Sequence, residues 1–83
     1  MKKKEIEKLL TNEQYKDYLY FMNNSIIFED ELKSEIEDNL FVLGIHEGEK
    51  RTDTLYAKIL TDEEIEKYSL NYKVNLFTKT ING

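Results

Sequence analysis

One histidine, His46, stands among Glu47, Glu49 and Asp53, and this is the first place to look for chemistry. An imidazole beside carboxylates can move protons as a general base. The spacing H-E-x-E with a later aspartate matches no metal-ligand pattern, and the chain has no cysteine to supply thiolates. Nucleophilic catalysis needs a serine with an aligned base. Ser25, Ser34 and Ser69 have none in register. Glycine occurs only at 44, 48 and 83, so no Gly-rich loop can cradle a phosphate. His46 therefore reads as a solvent-facing residue beside a loop, and the chain as a non-enzyme that uses no metal or cofactor.

Charge carries more information. The formal net charge is -5 over 83 residues, with a pI near 4.9. Residues 1–28 hold five lysines against four acids, residues 29–66 thirteen acids against four bases, and residues 67–83 three lysines and no acid. Such a balance opposes direct binding of nucleic acid or an anionic membrane. The acidic middle instead fits a basic protein surface. Glu31, Glu35 and Asp38 repeat at helical spacing, about 5–6 Å apart, which approaches the spacing of phosphates on one strand. The competing view is an ordinary solvated helix face, with Asp62, Glu63 and Glu64 explained by the positive end of a helix. Lys73 and Lys79, with Tyr72 or Phe77 as stacking platforms, are too few to bind nucleic acid against so much acid. They suit an edge strand protected from aggregation.

The elements that position these groups are set by periodicity. "KKKEIEKLL" reads as a short helix. Thr11 and Gln14 have capping-box spacing and start a second helix running to about Asn23. Tyr15, Tyr18, Leu19, Met22 and Ile26 fall on its expected core face. Phe28, Leu32, Ile36 and Leu40 predict a third helix. Period-two alternation then predicts a strand over 40–46, with Phe41, Leu43 and Ile45 on one side. A second strand is predicted over 54–60, with Leu55, Ala57 and Ile59 alternating. The polar "EGEKRTD" between them predicts a hairpin with a long mobile loop. Thr61 and Glu64 form another capping box, opening a short helix with Ile65 and Tyr68. "NYKVNLFTKTI" closes the chain as a strand, in which Phe77 alone breaks the alternation. The expected fold is one α+β domain over 1–83, ordered α-α-α-β-β-α-β, with N-terminal helices on a three-stranded sheet.

The segment "YKDYLYFMNNSIIF" concentrates apolar rings in a chain too small to bury much. Tyr20 and Phe21 leave the main stripe of the second helix in opposite directions. Either the helix breaks at Asn23-Asn24-Ser25 and the later residues join the next element, or part of the surplus faces a partner or a second copy. Interfaces favour Tyr and Phe at their centres. Tyr18, Tyr20 and Phe21 are thus the expected contact patch, with Glu31, Glu35 and Asp38 steering the approach.

Lysine outnumbers arginine eleven to one, Asn, Ile and Tyr are abundant, and proline is absent. This bias suits an AT-rich genome. No run of about 20 apolar residues is present, and glutamates interrupt the basic N-terminus, so the chain reads as cytoplasmic. In size, acidity and composition it resembles the small acidic inhibitors encoded by phages of low-GC bacteria, including anti-CRISPR and other anti-defence proteins. The resemblance implies a protein partner, a bacterial defence or nucleic-acid enzyme whose basic surface is occupied. The alternative is a homodimeric, antitoxin-like accessory module with an aromatic self-interface.

Overall fold

A computed structural model describes residues 2–24, 26–27 and 39–82. Its elements are α1 (Lys3–Leu9), α2 (Asn12–Met22), β1 (Ile26–Ile27), β2 (Leu40–Glu47), β3 (Arg51–Ile59), α3 (Asp62–Lys67) and β4 (Val74–Asn82). This is the α+β arrangement expected: N-terminal helices, then three long antiparallel strands with a short helix between the second and third. The sheet order is β1-β2-β3-β4, and the two-residue β1 was not foreseen. Ile26, expected on the α2 core stripe, pairs with Ile45 instead. The predicted helix beginning at Phe28 lies outside the described residues up to residue 38, and Leu40 opens β2.

α2 begins as its sequence dictates. The Thr11 hydroxyl accepts from the Gln14 N–H at 3.2 Å, and the Gln14 side-chain oxygen accepts from the Thr11 N–H at 3.0 Å. Two of the donors left over at the helix start are thereby satisfied. The buried face is rotated from the expected stripe. Tyr18 and Met22 enter the core and Phe21 packs against it, whereas Tyr15 and Leu19 are exposed. Helical periodicity sets the width of an apolar stripe, but the packing partner selects which flank is covered.

The core joins Ile6 of α1 and Tyr18 and Met22 of α2 to Phe41, Leu43, Leu55, Ala57 and Val74 of the sheet. In β2 the register shifts between Val42 and Gly44, so Leu43 and Gly44 together oppose Leu55. This bulge keeps Phe41 and Leu43 on the core side and re-phases the rest of the strand. Ile45, expected beside them, pairs with Thr54 on the opposite face. The long mobile loop between these strands is replaced by a tight connection. β2 extends to Glu47, β3 starts at Arg51, and the Gly48 N–H donates to the Arg51 carbonyl at 2.8 Å. The polar residues join the ladder because they have partners there. The Thr80 hydroxyl donates to Asp53 at 2.6 Å, and Arg51 lies 3.4 Å from the same carboxylate.

Candidate functional site

The first candidates for acid–base chemistry lie in the β2–β3 hairpin. His46 is half-buried in β2 and lies opposite Asp53 in the register. The Asp53 carboxylate is engaged by Thr80 and Arg51. Among the described residues no group of three or more His, Asp and Glu side chains could hold a metal ion. Ser69 lies in the turn after α3, and Ser25 and Ser34 lie outside the described residues.

The aromatic patch is split by depth. Tyr18 is only 2% exposed, and its hydroxyl donates to a Glu7 carboxylate oxygen at 2.8 Å. Burial, then this bond to an anion, pushes its phenol well above the usual tyrosine range. It is a core residue that joins α2 to α1 through Glu7, and it also lines the groove that Tyr20 and Phe21 border. Phe21 is half-buried against the core. Tyr20 is 79% exposed. Glu31, Glu35 and Asp38 lie outside the described residues.

Tyr20 and Phe21 stand at an open groove of ≈ 290 Å³. Asp17, Tyr20 and Phe21 of α2 form one wall, and Leu76, Phe77 and Thr78 of β4 form the other. The β4 wall is a strand edge whose backbone groups can be assigned by alternation. Ile59 donates to the Asn39 carbonyl at 2.8 Å, and the Gly48–Arg51 bond has the same parity, so odd residues of β3 address β2. The Leu60 N–H donates to the Lys73 carbonyl at 2.8 Å, so even positions address the β4 side. With Tyr56 opposite Phe77 and Thr54 opposite Lys79, the backbone groups of Asn75, Phe77 and Lys79 bond to β3. Those of Leu76, Thr78 and Thr80 point outward. Val74 has the same parity, and its carbonyl accepts from the Gln14 side-chain amide at 2.7 Å. α2 thus closes the edge at Val74, and the groove opens at Leu76.

The other side of the sheet carries a Tyr56–Phe77 stack, with centroids 5.4 Å apart and planes 13° from parallel. Lys79 stands 5.6 Å from the Tyr56 ring centroid. This stack accounts for Phe77 breaking the alternation: the ring covers its cross-strand neighbour. Tyr72 is half-buried and lines a separate hollow with Leu9, Leu10 and Ile65. Sequence patterning did not single out the β4 edge as a site. The edge itself was signalled by Lys73 and Lys79, and among the described residues β4 has a neighbour on one side only.

Compared with protein-family models, curated proteins and solved structures, the chain matches none. No helix among the described residues is long and apolar enough to cross a membrane.

Proposed function

We propose that this chain is a small protein-binding module that blocks or modulates a partner protein. The observation that supports the reading is Tyr20, an aromatic side chain 79% exposed at the mouth of a groove shared with Phe21. Leaving a large ring in water forgoes burial worth roughly 1.5–3 kcal/mol, and tyrosine is a frequent interface anchor. The net charge of -5 steers the molecule toward a basic partner. Glu47, Glu49, Asp62, Glu63 and Glu66 are exposed and contribute to that field, and Glu31, Glu35 and Asp38 extend the acidic tract in sequence. The compositional resemblance to phage inhibitors makes a bacterial defence or nucleic-acid enzyme the target class.

The test is affinity capture from a low-GC bacterial lysate with wild type and Tyr20→Ser side by side, followed by mass spectrometry. The reading expects a protein held by wild type and lost by the variant. Equal retention by both removes Tyr20 from the interface, and no specific capture removes the reading. A homodimeric module is the second reading, because the same exposed ring suits a two-fold contact. Sedimentation across a concentration series separates them.

A further inference from the structure

We infer that the outer edge of β4 is a strand-addition site that takes an extended segment of a partner protein, alternating apolar and acidic residues. The inference deepens the protein-binding reading and rests on it: the net charge of -5 acts on the partner's surface at long range, while the lysine-bearing β4 edge selects an acidic segment locally. Among the described residues no strand pairs with the outward amides and carbonyls of Leu76, Thr78 and Thr80, which can bond to an added strand. Such main-chain bonding supplies affinity, while side-chain pockets supply selectivity. α2 makes the edge a groove and not a bare rim. It caps Val74 through Gln14 and then leaves the ≈ 290 Å³ between Phe21 and Leu76 open.

Successive side chains of an added strand point to opposite faces. One set enters the groove against Tyr20, Phe21 and Leu76. Apolar side chains fit these positions because Tyr20, Phe21, Leu55 and Leu76 line the groove, and Asp17 disfavours an acid there. The other set runs over the face that carries Phe77 and Lys79. By strand alternation Lys73 and Lys79 share that face with Phe77, and β4 itself carries no carboxylate, so acids are favoured beside it. The same charge disfavours a second copy of β4, which brings its own Lys79 and no acid to the edge.

The test selects a displayed library of random peptides, roughly eight residues long to span the open edge at about 3.3 Å per residue, against the full chain. Alternating apolar and acidic sequences are expected to be enriched. A synthetic copy of the enriched sequence should bind Thr78→Pro at least about tenfold more weakly than wild type, because one outward donor is lost. That N–H takes no part in the β3 ladder, so the variant should unfold within a few degrees of wild type. A second measurement needs no altered protein. N-methylation of alternate peptide amides should abolish binding in one phase and leave it intact in the other.

Equal binding to Thr78→Pro, indifference to N-methylation in both phases, or no enrichment overturns the inference. So does amide hydrogen exchange at Leu76, Thr78 and Thr80 that slows as the concentration of the protein alone is raised, which assigns the edge to a second copy. A lysate partner held equally by wild type and Thr78→Pro but lost by Tyr20→Ser removes the edge while leaving the protein-binding reading standing. Loss of all specific capture removes both.

Discussion

The side-chain amide of Gln14 donates to the main-chain carbonyl of Val74 at 2.7 Å, across 60 residues of sequence. The same side chain accepts from the Thr11 N–H at 3.0 Å. One residue therefore starts α2 and pins it to the first outward carbonyl of β4. Gln14→Ala removes both bonds, and we expect a loss of about 1–2 kcal/mol in urea unfolding. A change under a few tenths of a kcal/mol would mean that α2 is held to the sheet by apolar packing alone.

Tyr18 makes stability sensitive to alkali. Its folded pKa lies above the ordinary tyrosine value, through burial first and the Glu7 bond second. The unfolded chain then loses this proton first as pH rises. The stabilisation is complete below the unfolded pKa of about 10 and declines above it as the folded state retains a proton the unfolded state has released. Tyr18→Phe should cost about 1–2 kcal/mol at neutral pH and flatten the decline of melting temperature above a pH of about 10. A decline identical to wild type would assign alkaline unfolding to another group.

α3 ends in a six-residue closing pattern without its usual glycine. The Leu70 N–H donates to the Ile65 carbonyl at 2.9 Å and the Ser69 N–H to the Glu66 carbonyl at 3.2 Å, with Ser69 at φ 53. This is the Schellman arrangement, in which the left-handed position is best filled by glycine. Ser69→Gly should raise stability by roughly 0.5–1 kcal/mol, a shift of about 2–8 °C for a domain of this size. A lower melting temperature would show that unfolded-state entropy outweighs the relieved strain.

Neighbours on α2 should respond oppositely to truncation. Met22 is buried in the core, and Met22→Ala should destabilise by about 2–5 kcal/mol. Tyr20 is mostly in solvent, so Tyr20→Ser should leave thermal unfolding within about 0.5 kcal/mol of wild type. Destabilisation of Tyr20→Ser by more than about 2 kcal/mol would make that ring part of the fold.

Local chemistry was legible in the sequence and long-range geometry was not. Thr11 with Gln14 and Thr61 with Glu64 announced two helix starts, and the structure contains both capping pairs. At the second, the Thr61 backbone bond holds the Glu64 carboxyl below its usual range. Alternation located Leu55 and Ala57 in the core. The phase error at Ile45 arose because a bulge at Leu43–Gly44 moves later residues to the other face, and only pairing with β3 reveals it. The loop over-prediction had a similar cause: Arg51 and Asp53 are polar, but the ladder and Thr80 give them partners. Tyr20 leaves the main stripe of α2 in the sequence, and the structure leaves its ring 79% exposed. Tyr18 lay on the stripe expected to face the core and is buried there, whereas its bond to Glu7, eleven residues away on another helix, has no local sequence signal.

The central proposal is that the edge of β4, unpaired among the described residues, stands open beside Tyr20 and Phe21. Residue-resolved amide hydrogen exchange on the free protein tests it most directly. The amides of Asn75, Phe77 and Lys79 should be protected, while those of Leu76, Thr78 and Thr80 exchange fast at every protein concentration. Slow exchange at these three in dilute protein would mean that the chain closes its own edge, and would contradict the account.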